Sequence, residues 1–208
     1  MLRARSNEAK DERRQALLSV ALDEFFEKGF AATRMDDIAR RAGLSKGTLY
    51  LYFGSKEALF QGLIETLATP NLKIVETITS QSTSLKDALA RIRQFAPFLV
   101  RQTDLPRLMK VLIGDSHLFP EVVRAYREDL IDRVLSMITS LLQRAHDTGE
   151  AIIDTPALTA RLLMAPMIFS AIWQAVFNQK SEADIDLDEL FRLHEQMMLK
   201  ALQIGSAS

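Results

Sequence analysis

The 208 residues include no cysteine. That excludes a disulfide framework, a thiolate metal site and a cysteine nucleophile, and it fits a reducing cytoplasm. Histidine is nearly as scarce. His117, His146 and His194 stand far apart, with no second histidine or carboxylate at ligand spacing. No metal or cofactor is therefore expected, and no set of convergent catalytic groups marks an enzyme. Eight glycines and six prolines fall mostly at segment edges, which leaves room for long helices. Alternating polar and apolar runs are almost missing, so the sequence predicts an all-α fold rather than a sheet. The opening residues, MLRARSNEAKDERR, carry charge without an apolar centre and do not make a secretory signal.

Only one long uncharged run is present. The segment LLMAPMIFSAIWQAVFNQ, between Arg161 and Lys180, reaches the lower length limit for a spanning helix. Pro166, Ser170, Gln174, Asn178 and Gln179 interrupt it, and no basic flank favours one side. It reads as a helix buried at a subunit contact, with no membrane involved. A net charge of −1 hides an asymmetry: residues 1–56 hold 11 Lys/Arg against 8 Asp/Glu, and the remainder 15 against 19. A basic piece on an acidic body points to a polyanion partner on one face.

Apolar residues at Leu17, Leu18, Ala21, Leu22, Phe25 and Phe26 repeat with helical spacing over 11–28, after an arm expected to be loose to about Lys10. Gly29-Phe30 reads as the C-terminal stop. Thr33 and Asp36 resemble a capping box opening a second helix, RMDDIARRA, that ends at Gly43. Ser45 caps a third from Lys46 to about Phe53, and Ser55 a fourth that begins at Lys56 and is kinked or divided at Pro70. Further helices are predicted near 84–102, 105–114, 120–147, 156–179 and 187–203. Pro106, Pro120 and Pro156 sit near helix starts, where a missing N–H costs nothing.

The stretch GLSKGTLYLYFGSKEAL, Gly43 to Leu59, mixes rings, lysines and glycines on what reads as a short helix. A core would not want the lysines, and a solvated face would not want the rings. Three short helices with a tight glycine turn between the second pair predict a helix-turn-helix. Ala39 is small where the pair must touch, Gly43 can take the left-handed turn, and Ile38, Ala42, Leu44, Leu49 and Tyr52 close a small core. With the third helix in the DNA major groove, Lys46 supplies charge, Gly47 close approach and Thr48 a hydroxyl or methyl. Tyr50 and Tyr52 offer hydroxyls on rigid arms, Leu51 an apolar contact to a thymine methyl, and Lys56 an ammonium at the next helix start for a phosphate.

The run TRMDDIARRAGLSKGTLYLYFGSKEAL closely resembles the DNA-binding segment of TetR-type (tetracycline-repressor-like) regulators, from about Leu17 to Leu59. The family pattern is a helix ending Ala-Gly-Val or Ala-Gly-Leu, then Ser-Lys-Gly-Thr-Leu-Tyr, one variable residue, Tyr-Phe and a Ser-Lys pair. The resemblance implies DNA contacts from Lys46, Gly47, Thr48, Tyr50, Leu51, Tyr52 and Lys56, with Thr33 and Ser45 at the helix starts. Arg34 departs from the Thr or Ser common at its position, and an arginine there reaches a phosphate or a base. The implied architecture is an N-terminal three-helix helix-turn-helix domain (1–54) plus a C-terminal helical domain (55–208) that binds an effector and dimerises.

The implied protein is a cytoplasmic homodimer, joined through about 156–179 and 187–203, on a pseudo-palindromic double-stranded DNA operator. It acts as a repressor released by a small apolar or amphipathic effector; an activator or an effector-independent regulator is the alternative. Phe169 and Trp173, with Met164 and Met167, form an apolar stripe read first as dimer core and second as pocket lining. Phe95 and Met109 are candidates for an effector cavity, and Arg91 and Arg93 for an acidic effector.

Overall fold

A computed structural model describes residues 2–177 and 185–204, with side chains from residue 8 onward. Among the described residues there is no strand. The helices are α1 (Leu2–Lys28), α2 (Met35–Arg41), α3 (Lys46–Tyr52), α4 (Lys56–Gln81), α5 (Leu85–Gln102), α6 (Leu105–Asp115), α7 (Pro120–Tyr126), α8 (Asp132–Asp147), α9 (Pro156–Val176) and α10 (Leu187–Ala201). A 3-10 turn, Ser116–Leu118, precedes α7, and a π-helical turn, Arg127–Ile131, follows it.

Four of these elements differ from the sequence reading. The loose arm is instead the start of α1, because LRARSNEAK contains no glycine or proline and mostly good helix formers. The side chains of Arg3 and Arg5 lie outside the described residues, as does most of the polar linker after Phe177. Pro70 does not divide α4. It is exposed, so the carbonyl it deprives of a donor can turn to water. The single helix expected over 120–147 is interrupted by the π turn, which admits one extra residue into the helical ladder. The expected capping box is absent: Arg34 occupies the α2 N-cap and makes no side-chain cap.

The chain forms two compact units. The first comprises residues 1–67 with 110–126, and the second 68–109 with 127–208. Packing thus divides α4 at 67/68, beyond the 54/55 boundary read from sequence. The reason is that Leu59, Phe60 and Leu63 of α4 are buried with the helix-turn-helix.

The first unit is built on Phe25, Phe30, Phe60 and Phe119, all at most 4% exposed. Phe30 lies 5.2 Å from Phe25 and 4.4 Å from Phe119, ring centre to ring centre, and Phe60 meets Phe25 edge-on at 5.4 Å. Each such ring contributes on the order of 1.5–3 kcal/mol by burial. Gly29 ends α1 at φ +83°, as expected of the stop, and turns Phe30 back onto the core.

In the second unit, Ala96 and Val100 of α5 pack on Leu187 and Phe191 of α10. Ion pairs Arg93–Glu195 (2.7 Å) and Arg101–Asp188 (2.6 Å) join the same two helices. Gly149 (φ +75°) ends α8, and the Glu150 carboxylate accepts the Leu85 N–H at 2.5 Å at the start of α5.

Candidate nucleic-acid interface

Between α2 and α3 the turn is tight. Gly43 takes φ +67°, and the Leu44 N–H reaches back to the Ala39 carbonyl at 2.9 Å. Ala39 is 2% exposed where the helices meet, and Ile38 and Leu49 are fully buried beneath them. Ser45 caps α3 as the sequence predicts: its hydroxyl accepts the Thr48 N–H at 3.1 Å and sits 2.8 Å from the Thr48 hydroxyl. Ser55 does the same for α4, accepting the Ala58 N–H at 3.1 Å.

With Leu49 fixing the inner face of α3, the rest of the helix is turned outward. Lys46, Gly47, Tyr50 and Leu51 are exposed, and Thr48 and Tyr52 are half-buried. Leu51 is 82% exposed, with no intramolecular reason to be leucine. Gly47 is equally unexplained from within, since a Cβ there would meet only the Ser45 hydroxyl at 3.9 Å. An outward apolar side chain beside a helix position kept bare suits a close-fitting partner surface. Arg34 is exposed at the start of α2.

Three cations around this surface, Lys46, Arg40 and Arg41, are paired. The Lys46 ammonium lies 2.9 Å from one Asp36 oxygen and 3.2 Å from the other. This hydrogen bond, and secondarily the charge of Asp36, raise the Lys46 pKa above its ordinary value. Arg40 pairs with Asp37. Arg41 is turned back to α1, where it binds both Glu27 oxygens (2.8 and 2.9 Å) and one of Glu24 (3.0 Å). Those hydrogen bonds, Glu27 first and Glu24 second, raise its pKa further. Arg41 thus fastens α2 to α1.

Two residues expected at DNA are employed elsewhere. Thr33 is 1% exposed, and its hydroxyl donates to the carbonyls of Glu24 (3.1 Å) and Gly29 (2.7 Å). It closes the end of α1 and has no hydroxyl to offer a phosphate. The Lys56 ammonium donates to the carbonyls of Phe30 (2.6 Å), Thr33 (3.0 Å) and, at 3.4 Å, Ala31, and lies over the Phe30 ring. Three acceptors from one loop saturate its donors. Within the chain Lys56 acts as a loop clamp. Asp115, which the sequence did not single out, completes the clamp by accepting the Phe30 N–H at 2.6 Å.

This geometry has known counterparts. Residues 17–63 match the profile of bacterial regulatory proteins of the tetR family, and residues 87–190 that of the AefR-like transcriptional repressor C-terminal domain. The chain belongs to the TetR family. It is a DNA-binding transcriptional regulator of that family. It is 28% identical over 199 residues to the HTH-type transcriptional regulator YfiR of Bacillus subtilis, covering 94% of this chain and 96% of YfiR. To the nucleoid occlusion factor SlmA of Vibrio atlanticus it is 30% identical over 160 residues, 74% of this chain and 80% of SlmA. The fold superposes on the Bacillus subtilis regulator FadR, solved in complex with stearoyl-CoA, with a TM-score of 0.72 at 20% identity over 88% of this chain and 96% of that one.

In this TetR-family chain the four residues expected at an effector cavity fall in different places. Phe169 lines a groove of about 450 Å³ whose other walls include Ile131, Leu135, Arg161, Met164, Ile168 and Ile172. Phe95, Met109 and Trp173 are not among its lining residues. Phe95 stacks on Phe98 (6.0 Å), Met109 is 7% exposed within α6, and Trp173 lies between Phe169 (5.8 Å) and Phe177 (4.9 Å) along α9. Arg91 and Arg93 are already paired, with Asp87 and Glu195.

Leu158, Leu162, Phe169 and Val176 of α9, with Leu193 and Met197 of α10, are all more than 45% exposed. By length and composition α9 could cross a membrane, yet only 22% of its apolar window is buried within the chain. Among the described residues no group of histidines and carboxylates could hold a metal ion.

Proposed function

We infer that the protein is a cytoplasmic, homodimeric repressor that reads a pseudo-palindromic operator and is released by a small amphipathic effector. The outward face of α3 carries this reading: Lys46, Gly47, Tyr50 and Leu51 are exposed around buried Leu49, with Gly47 and Leu51 on the side opposite it. Placed in the major groove, Leu51 meets base edges, Lys46, Ser45, Thr48 and Tyr50 meet phosphates, and Gly47 lets the backbone approach. Arg34 and Tyr52 flank that contact. Thr33 and Lys56 support it from behind.

A second copy covers the apolar face of α9 and α10 and sets two recognition helices about one DNA turn, ~34 Å, apart. That occupant explains an apolar helix left uncovered by its own chain, interrupted by Pro166 and Gln174 where a bilayer span would be smooth. The effector class is supported by FadR, a structural relative solved with stearoyl-CoA. An effector need only prefer a dimer whose recognition helices misfit the operator. About 3 kcal/mol of coupling lowers operator affinity on the order of 100-fold.

The test is operator binding by Tyr50→Ala, measured by fluorescence anisotropy alongside its melting temperature. Tyr50 is 42% exposed and outside the core, so the variant should melt with the wild type while its affinity falls at least about ten-fold, the worth of one hydrogen bond to a charged group. Unchanged affinity would remove α3 from the interface.

A further inference from the structure

α3 carries one cation, Lys46, and the protein's own Asp36 gives it a carboxylate. Both Asp36 oxygens lie within 3.2 Å of the ammonium, and both side chains remain more than half exposed. Such a pair does little for stability. Its interest lies in where it stands. Asp36 is in the first turn of α2, ten residues before Lys46, and the partner the structure gives its carboxylate is the Lys46 ammonium. The neighbouring Asp37 is already committed to Arg40. Asp36 is therefore the carboxylate that competes directly with a phosphate for the recognition helix's one ammonium.

We propose that Asp36 is a built-in counterion that restrains sequence-independent binding to DNA by holding Lys46. The inference rests on the DNA-binding reading of α3. When the protein meets a duplex, one of two things happens. Lys46 stays with Asp36 and neutralises no phosphate, or it moves to a phosphate and leaves Asp36 unpaired beside a polyanion, where it takes up a cation. Either route leaves the net release of cations about one smaller than it would be without Asp36. Base-edge contacts from Leu51 and backbone approach at Gly47 are untouched, so the affinity surrendered is the part that carries no sequence information.

The size follows from counterion release. Each phosphate neutralised steepens the dependence of log K on log salt by about 0.9, so one more contact is worth about eight-fold at ~0.1 M salt relative to 1 M. Asp36→Asn, as the full-length protein on a duplex of scrambled sequence, should therefore bind about eight-fold tighter at ~0.1 M salt, with the gain vanishing toward 1 M. Lys46→Gln supplies the second arm. In that background Asp36→Asn should lose most of its effect, because no ammonium remains to be released.

An equal gain with and without Lys46 would overturn the proposal, since Asp36 would then act only as a distant negative charge. So would an Asp36→Asn protein whose affinity and salt slope match the wild type. Failure of the wild type to bind any duplex at low salt is a different result, and it overturns the DNA-binding reading itself. Melting curves of each variant, expected within a degree or so of wild type for so exposed a pair, separate these results from misfolding.

Discussion

Replacing Asp115 with alanine should destabilise the protein from the far side of the helix-turn-helix. The Asp115 carboxylate accepts the Phe30 N–H at 2.6 Å across 85 residues of sequence, and Phe30 is 2% exposed. Asp115→Ala removes a charge-assisted hydrogen bond and strands a buried amide, which together cost about 2 kcal/mol. At roughly 2–4 °C per kcal/mol for a chain of this size, the melting temperature should fall about 4–8 °C. Asp115→Asn keeps an acceptor of the same reach and should lose about half as much. Calorimetry is the global assay, and hydrogen exchange at the Phe30 amide the local one. Trp173, the one tryptophan, lies in the second unit, so its fluorescence is a poor reporter here. An Asp115→Ala protein that melts within about 1 °C of wild type, with Phe30 still protected, would refute the assignment of this contact as a structural clamp.

Thr33→Val keeps shape but removes the hydroxyl that bonds Glu24 and Gly29 carbonyls, so it should cost about 1 kcal/mol in urea unfolding and leave operator affinity per folded molecule unchanged. Lys56→Met should likewise lower stability while leaving the salt slope of DNA binding intact; a slope shallower by about 0.9 would restore Lys56 as a phosphate ligand. His194 is desolvated, its Nε2 has no hydrogen-bond partner, and burial holds its pKa below the ordinary 6.5 despite an opposing hydrogen bond with the Leu162 backbone. The neutral form is thus favoured by folding, so its contribution is complete above about pH 6.5 and is lost as pH falls through the lower folded-state pKa. His194→Gln should flatten the acid limb of a stability–pH profile, and an unchanged limb would contradict the shift. Leu162→Glu, 61% exposed on α9, should convert dimers to monomers in sedimentation equilibrium without lowering helix content; a variant that stays dimeric would move the interface elsewhere.

Much of the first unit was legible in sequence because its signals are local. Gly29 and Gly43 both sit at positive φ, where the stop and turn patterns place them, and Ser45 and Ser55 cap the helices they precede. What escaped were contacts between residues far apart. Thr33 followed by Asp36 looks like a capping box, yet two carbonyls at the end of α1 compete for the hydroxyl and win. Nothing in the spacing around Lys56 shows that the carbonyls of Phe30, Ala31 and Thr33 surround its ammonium. Asp115 and Glu150, which satisfy backbone N–H groups 85 and 65 residues away, leave no trace in spacing at all. The cavity residues were the weakest reading for a related reason. An apolar residue at helical spacing looks the same whether it lines a groove, as Phe169 does, fills a core, as Met109 does, or faces outward, as Leu162 does.

Selection of bound duplexes from a randomised pool by the purified full-length protein, at moderate salt, tests the central claim most directly. The account predicts enrichment of a two-fold symmetric site with half-site centres about one DNA turn (~10 base pairs) apart, bound more weakly by Tyr50→Ala. Binding that only follows salt, with no sequence enriched, would contradict it.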